Sequence, residues 1–344
     1  MTTSQITTSQ INQINQINQI NQINQINQNE SNLINNQSTL ENLNNEIDNK
    51  ISNILKKQKI NDGSKLINLV LSGGGFRGIG ITGAFKIFND SKLFDNLQNI
   101  ACTSVGALIG GLYCIGYSPD ELSKIILKLD IEKIICPNPN NFIQHLSLDD
   151  GERFEFVIGK LIEAKKLNKN ITLKEVYNIK KINLIITGTC LNDSDIYYFT
   201  HLNNPDMPLL TCIRISTSVP FIFKPVVYKN KTYVDGGLMD NYPMHLFKND
   251  INNTIGIYVK DIHKYKDNFE NIQTHLFSIF ECALEGQTMQ TCFFPENTLM
   301  IELPYVSMID KIETKTKKEL FFIGCEKAKH FIKNKFDENS NIII

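Results

Sequence analysis

The spacing of hydrophobic residues divides the chain into parts with different patterns. Residues 11–28 are six copies of Ile-Asn-Gln, and a period of three moves each isoleucine by about 300° around a helix, so no apolar face forms. After Ser38 and Glu41, which have the spacing of a capping box, apolar residues recur at helical intervals. We therefore expect a disordered, low-complexity arm over residues 1–37 and an amphipathic helix with a linker over residues 38–63.

Short apolar runs alternate with helical spacing after residue 64. Helical patterns begin near Ile79 and at Val105, each directly after an apolar run. Strands that alternate with helices are typical of an α/β fold with a largely parallel sheet, and we place this domain at residues 64–250. The strands predicted from the apolar runs are Leu66–Leu71, Asn99–Thr103, Ile182–Thr187, Ile196–Phe199 and one that ends at Val234.

Residues 251–344 have a mixed pattern, and we expect them to form a C-terminal extension that packs on the α/β domain. The extension contains a predicted helix from about Thr314 to Phe336 that is rich in lysine. Glutamates lie between these lysines, so an ordinary solvated face is favoured over a surface that attracts anionic lipid.

Composition and charge exclude several classes of protein. The chain has 35 basic and 36 acidic side chains and a net charge of -1, which gives no positive field for a nucleic acid. Its eight cysteines form no CxxC pair, which indicates a reduced intracellular protein rather than a disulfide or zinc framework. No signal peptide is recognised, and the uncharged stretch Ile100–Tyr117 is glycine-rich and too short for a membrane span. We expect a cytoplasmic location.

Three short motifs that contain glycine are candidates for a catalytic or binding site. The first motif directly follows the first predicted strand. Gly73, Gly75 and Gly78 have the GxGxxG spacing of a dinucleotide-binding turn. That interpretation also needs an acidic residue at the end of the next strand, where Cys102 stands instead. A P-loop fails because Ile79 follows Gly78. By itself the loop leaves a nucleotide-binding enzyme and a plain backbone turn open.

The second site is Cys102-Thr-Ser-Val-Gly106, at the junction of a predicted strand and a predicted helix. A nucleophile elbow places a serine in a strained turn between small neighbours, and Ser104 and Gly106 fit this pattern. Cys102 stands where the first glycine of GxSxG is usual, and its Cβ disfavours a positive φ there. We interpret Cys102 itself as a buried structural thiol, and Ser104 alone is equally well explained as a helix cap.

The third site is Asp235-Gly236-Gly237, which follows the strand-like run from Lys231 to Val234. An aspartate followed by two glycines is compatible with a hairpin turn. The residues after Gly237 do not have the pattern of a returning strand, which argues against the hairpin.

In this order, the three sites resemble the patatin-like phospholipase family, whose pattern is a GGGxRG loop, a GxSxG elbow and a DG[GA] motif. Asn241 and Pro243 after the third motif, and the Ser/Pro-rich segment Ile215–Pro225 before it, add to the resemblance. It covers roughly Ile67 to Leu246, and it implies a three-layer α/β/α fold and a lipid acyl hydrolase. The motifs that carry it are Gly73–Gly78, Cys102–Gly106 and Asp235–Gly237.

The resemblance also implies a role for each motif. Ser104 would attack an ester carbonyl and form an acyl-enzyme, with Asp235 as the general base of a dyad that needs no histidine, metal or cofactor. An ordinary aspartate has a pKa of ~3.9, so Asp235 requires partial burial or a short hydrogen bond to Ser104. Arg77 would either add charge at the oxyanion hole or form a structural ion pair. The implied oxyanion-loop residues are Gly73, Gly74, Gly75, Arg77 and Gly78, and the implied supporting residues are Cys102, Gly106, Gly236 and Gly237.

Two further alternatives remain open from the sequence, beside the nucleotide-binding enzyme that the glycine loop leaves open. A Ser-Asp-His triad could be completed by His245, His263 or His275, none of which lies in a recognisable motif. The cysteine at position 102 leaves open a catalytically silent lipid-binding or interaction protein with the same fold. As an enzyme, the chain would meet phospholipid in a membrane or micelle through transient association with the membrane surface, and it would not bind nucleic acid.

Overall fold

The computed structural model describes residues 66–129, 133–135, 147–262, 275–276, 278–283, 286, 294–304 and 312–336. The predicted arm and amphipathic helix, residues 1–37 and 38–63, lie outside these ranges. No helix within the described ranges has the length and the apolar character that crossing a bilayer demands.

The described chain alternates between strands and helices. The strands are β1 (Asn68–Leu71), β2 (Asn99–Cys102), β3 (Ser147–Asp149), β4 (Asn183–Cys190), β5 (Asp195–Phe199), β6 (Phe221–Phe223), β7 (Val226–Tyr228), β8 (Lys231–Asp235), β9 (Thr254–Asp261) and β10 (Thr298–Leu303). The α-helices are α1 (Gly78–Asp90), α2 (Val105–Cys114), α3 (Pro119–Lys128), α4 (Glu152–Ala164), α5 (Leu173–Lys180), α6 (Leu209–Ser216) and α7 (Thr314–Phe336). Short 3-10 helices span Gly75–Arg77, Gly236–Leu238, Met244–Asn253 and Pro295–Asn297.

Eight strands form one sheet in the order β10-β9-β1-β2-β4-β8-β7, with β5 also paired to β4. The five strands from β10 to β4 are parallel, while β5, β7 and β8 are antiparallel to their neighbours. The register places Leu71 of β1 beside Cys102 of β2, so the segments that follow these two residues leave the sheet side by side. The mainly parallel α/β fold expected from the sequence is confirmed.

Side chains of the central strands alternate between the two faces of the sheet. On one face, Val70 and Ala101 belong to an apolar cluster that the 3-10 segment Met244–Asn253 covers. On the other face, α2 packs so closely that a Cβ on Gly110 would lie 3.2 Å from the Cys102 sulfur. The sheet is therefore the middle layer, with helical segments on both sides.

Residues beyond 250 are built into this same sheet. β9 pairs with β1, and β10 pairs with β9. Helix α7 has the predicted bounds, Thr314–Phe336, and packs on α1, where a Cβ on Gly83 or Gly324 would overlap the backbone of the facing helix. Residue 250 is therefore not the end of the folded sheet.

Candidate active site

Ser104 occupies a strained turn between β2 and α2. Its φ is 53° and its ψ is -121°, a combination that costs free energy for a residue with a Cβ. A Cβ on Gly106 would lie 2.7 Å from the carbonyl oxygens of both Leu71 and Ser72, so only glycine lets the helix approach β1 this closely. The N–H of Ser104 donates to Ser216 Oγ at 2.9 Å. These features have the geometry expected of a nucleophile elbow.

Cys102 fits this turn because it remains part of the strand. It is the last residue of β2, and the positive φ of the turn falls on Ser104 and not on Cys102. Its fully buried sulfur lies 3.4 Å from the carbonyl oxygen of Ile185. Burial raises the pKa of the Cys102 thiol well above its ordinary value, so the group stays protonated. The expected conflict between Cys102 and a positive φ is therefore wrong, because the turn does not require one at that position.

Asp235 ends β8 with its carboxylate directed at Ser104. Ser104 Oγ donates to Asp235 Oδ2 at 2.6 Å, and the N–H of Gly237 donates to Oδ1 at 2.7 Å. Only 2% of the Asp235 surface is exposed. Burial raises its pKa to about 7, although both hydrogen bonds act in the opposite direction. The structure thus brings together a serine hydroxyl and a carboxylate that titrates near neutral pH.

The two glycines after Asp235 open a 3-10 turn and not a hairpin. A Cβ on Gly236 would overlap the side chain of Thr187 on β4, which makes glycine necessary there. The carbonyl group of Asp240, just after this turn, accepts a hydrogen bond from the Thr103 hydroxyl at 3.0 Å. The segment after β8 therefore contacts the residue that precedes Ser104.

The glycine-rich loop between β1 and α1 lies against both candidate residues. A Cβ on Gly73 would lie 3.2 Å from the Cβ of Ser104 and would overlap the side chain of Asn241. Gly73 and Gly78 already use their N–H groups, which donate to the carbonyl groups of Asn241 and of Gly75. Gly74 has a φ of 156° and Gly75 a φ of 54°. Within the described ranges, no partner accepts a hydrogen bond from the N–H of Gly74 or Gly75.

Arg77 makes the contacts of a structural residue. Its Nε donates to the carbonyl oxygen of Gly74 at 2.9 Å, and its guanidinium is paired with the carboxylate of Asp261 at the end of β9. Its backbone N–H donates to the same Gly74 carbonyl group. Of the two roles considered for Arg77, these contacts favour the ion pair that holds the loop.

Two cavities meet at Ser104. The first has a volume of about 110 Å³ and an almost entirely apolar lining. The second, about 50 Å³, extends over the glycine loop and Asp235 and is more polar. The apolar cavity is lined by side chains from α2, α3, α4 and the segment around β6, including Leu108, Ile126, Phe154, Val219, Ile222 and Phe223.

Of the three histidines considered for a triad, the structure describes His245 and His275, and neither lies beside Asp235. His245 Nε2 lies 3.3 Å from the Tyr198 hydroxyl, and its Nδ1 lies 3.7 Å from the carboxylate of Asp240. His263 lies outside the described residues, and His275 is exposed. In the described ranges, no group of three or more His, Cys, Asp and Glu side chains is arranged to hold a metal ion.

Sequence reasoning missed two serines that hold the backbone of the site. Ser216 Oγ accepts the N–H of Ser104, and the carbonyl group of Ser218 accepts the N–H of Asp235 at 2.9 Å. Both lie in the Ser/Pro-rich segment Ile215–Pro225, whose composition adds to the family resemblance but assigns no role to either serine. The clustering of serines there was the one available signal.

Comparison with known proteins gives the same picture as these motifs. A family model for patatin-like phospholipases matches residues 69–248. The chain is 36% identical over 198 residues to the uncharacterized protein R571 of Acanthamoeba polyphaga mimivirus, and the match covers 56% of this chain and 65% of that protein. It is 30% identical over 184 residues to the probable lipid hydrolase 463L of Invertebrate iridescent virus 6, with 52% and 62% covered.

The chain thus spans less than two thirds of the length of these two viral relatives. Among solved structures, VipD from Legionella pneumophila superposes with a TM-score of 0.56 at 14% identity, covering 78% of this chain and 67% of that one, which shows a shared fold. The resemblance inferred from the three motifs is confirmed, and the chain belongs to the patatin-like phospholipase family.

Proposed function

We propose that this chain is a lipid acyl hydrolase of the phospholipase A or lysophospholipase type, with Ser104 as nucleophile and Asp235 as general base. The observation that carries this proposal is the 2.6 Å hydrogen bond to a buried Asp235 carboxylate from the Oγ of Ser104, a residue that lines an apolar cavity. The family match and the viral relative described as a probable lipid hydrolase support the same class of reaction.

The first step is attack by Ser104 on the ester carbonyl carbon. Asp235 accepts the hydroxyl proton as the new C–O bond forms, and it then returns this proton to the leaving alcohol when the acyl-enzyme is produced. In the second step Asp235 takes a proton from water as the water oxygen attacks the acyl carbon, and it gives this proton to Ser104 Oγ as the acyl C–O bond breaks and the fatty acid leaves. A pKa of about 7 suits this task, because it lies near the operating pH and leaves much of the carboxylate ionised.

The negative charge on the carbonyl oxygen needs donors in the transition state. The N–H groups of Gly74 and Gly75 are the best candidates in the glycine loop, since the neighbouring N–H groups of Gly73 and Gly78 already have partners. Such a donor typically contributes ~3–4 kcal/mol of transition-state stabilisation. The loop is held in place by the contacts of Arg77.

The two cavities supply separate places for the two parts of a lipid ester. The apolar cavity that begins at Ser104 suits an acyl chain, because burying methylene groups there removes them from water. The more polar cavity over the glycine loop suits the leaving alcohol. This division favours hydrolysis of lipid esters over a purely structural role for the fold.

Neither the catalytically silent protein nor the triad gains support from the contacts. The silent protein was considered because of Cys102, which the strand accommodates without disturbing Ser104. The triad would need a histidine beside Asp235, and His245 instead lies beside Tyr198 and Asp240.

The test is hydrolysis of a phospholipid and of a soluble p-nitrophenyl ester by single variants, with a chelator present. Ser104→Ala and Asp235→Asn should each lower kcat by about 10³-fold or more. Ser123→Ala and Asp193→Asn are matched controls, because the Ser123 hydroxyl donates to the carbonyl group of Pro119 within α3 and Asp193 is on the surface. Retained activity in Ser104→Ala would refute the proposal, and lost activity in His245→Ala with a native fold would restore the triad.

A further inference from the structure

Arg214 is a buried charged side chain in a protein whose basic residues are mostly lysines. Arg77, Arg153 and Arg214 are the only arginines among 35 basic residues. Arg214 lies in α6, and only 2% of its surface is exposed. Removing a cation from water carries a large desolvation cost, which only close polar partners offset. The surroundings of Arg214 must therefore be specific to it.

The guanidinium of Arg214 joins three segments of the chain. Nη1 donates to Ser218 Oγ, and Nη2 donates to the carbonyl oxygens of Asp150 at 3.0 Å and Lys224 at 3.2 Å. Nε lies 3.4 Å from the carboxylate of Glu155. A planar group with donors on several sides can hold these partners at once, whereas a lysine ammonium is a point charge at the end of a flexible stem.

The loop before α4 is shaped around this cation. Gly151 has a φ of 83°, and a Cβ at this position would overlap the Arg214 guanidinium. Glycine is thus required both by the left-handed backbone and by the space that the guanidinium occupies. The acidic groups that face Arg214 are Asp149 at the end of β3, Asp150 in this loop and Glu155 on α4.

The segment that Arg214 braces is hydrogen-bonded to the main chain of both residues of the candidate dyad. Ser218 Oγ accepts from Arg214 and donates back to the Arg214 carbonyl group, which fixes the turn at the end of α6. The carbonyl group of Ser218 holds the N–H of Asp235, and Ser216 Oγ holds the N–H of Ser104. One short segment, residues 214–218, therefore restrains the main chain on both sides of the 2.6 Å hydrogen bond.

We propose that Arg214 is a positioning residue that sets the approach of Ser104 to Asp235 by fixing this segment. The inference rests on the proposed acyl-hydrolase function. Arg214 is not among the residues that line the two cavities, so it acts through Ser216 and Ser218 and not on the substrate. Displacing reacting groups by about 1 Å costs on the order of 10²-fold in rate, which sets the size of the effect.

The experiment compares Arg214→Gln and Arg214→Lys with the wild-type chain in kcat, KM and the pH midpoint of ester hydrolysis. Arg214→Gln should lower kcat on the order of 10²-fold with a smaller change in KM, and Arg214→Lys should recover only part of the loss. The pH midpoint should move upward, because the Ser104 hydrogen bond that would be loosened lowers the pKa of Asp235. A merely structural role would not move this midpoint.

Lys86→Met is the matched control, since Lys86 is another buried cation, held by Asp90 and Asp120. This variant should lower the unfolding temperature and leave the pH midpoint in place. The route through Ser218 is tested by the double variant Arg214→Gln with Ser218→Ala, which should lose no more kcat than Arg214→Gln alone.

The outcomes separate this inference from the proposed function. Wild-type kcat and pH midpoint in both Arg214 variants would overturn the role of Arg214, as would an equal shift of the midpoint in Lys86→Met. If Arg214→Gln does not fold, Arg214→Lys and Ser218→Ala make the same comparison. A wild-type chain without any ester hydrolysis would instead overturn the proposed function.

Discussion

At the scale of one residue, the burial of the Asp235 carboxyl group sets the pH range in which it can act as a base. Burial raises its pKa to about 7, and the proposed mechanism needs the ionised form. We therefore predict that kcat/KM for a p-nitrophenyl ester rises with pH and reaches half its plateau at a pH of about 7. A profile measured in buffers of constant ionic strength checks this. A flat profile, or a midpoint near the ordinary aspartate value of ~3.9, would contradict it.

The same burial predicts a stability effect whose sign depends on pH. The folded-state pKa of Asp235 lies above the unfolded value, so folding is disfavoured progressively as pH rises from ~4 to about 7. Asp235→Asn removes the buried charge and should raise the free energy of unfolding at pH ~8 by about 1–3 kcal/mol, with little gain at pH ~4. Urea unfolding at both pH values measures this difference.

Asp193→Asn is the control with the opposite sign. Hydrogen bonds from Lys231 and Tyr197 lower the pKa of Asp193, so its ionised form favours folding. This variant should not gain stability at high pH. If Asp235→Asn is less stable than the wild type at pH ~8, the buried carboxylate does not impose the cost that we infer.

At the scale of elements, the elbow depends on how closely α2 approaches β1. A Cβ on Gly106 would lie 2.7 Å from the carbonyl oxygens of Leu71 and Ser72, so Gly106→Ala must push the helix and the strand apart. We predict a loss of stability of ~2 kcal/mol or more and a loss of kcat of at least about 10-fold. Thermal unfolding and ester hydrolysis report the two effects.

Gly159→Ala in α4 provides the matched substitution. A Cβ on Gly159 would meet no atom of the described residues within 4 Å, and alanine is the better helix former by about 1 kcal/mol. This variant should therefore be slightly more stable and fully active. Equal behaviour of the two alanine variants would mean that the close approach at Gly106 does not control the site.

At the scale of the whole molecule, the sheet requires the C-terminal part of the chain. β9 pairs with β1 and separates it from the edge strand β10, and α7 packs on α1. A chain of residues 64–250 would expose one edge of β1 and the apolar face of α1, so we predict that it does not unfold cooperatively. Residues 64–344 are the control, and denaturant titration compares the two. Cooperative unfolding of residues 64–250 would show that the shorter segment is a domain.

The sequence predicted the site better than it predicted what supports the site. The pairing of Ser104 with Asp235 was implied by the family resemblance of their motifs and not by strand order, since β4 lies between β2 and β8 and β8 runs antiparallel to it. The place of β9 beside β1 could not be inferred, because strand pairing between distant segments leaves no local signal. The same holds for Arg214 and Ser218, whose roles arise from contacts that only folding creates.

Expectations based on residue type alone were wrong or unsupported at Cys102 and His245. Cys102 was expected to conflict with a strained backbone, yet the strain falls two residues later on Ser104. His245 fits a triad by chain order, but its neighbours are Tyr198 and Asp240. In both cases the conformation or the partner, which a motif does not encode, decides the chemistry.

The central claim is that one hydroxyl, Ser104, becomes nucleophilic through one carboxylate, Asp235. Reaction with a fluorophosphonate ester followed by peptide mass spectrometry tests it most directly, because the reagent records which oxygen attacks and how fast. We predict a single adduct on the peptide that contains Ser104, formed at least about 10²-fold more slowly in Asp235→Asn. An adduct on another residue, or an Asp235→Asn chain that reacts at the wild-type rate, would contradict the account.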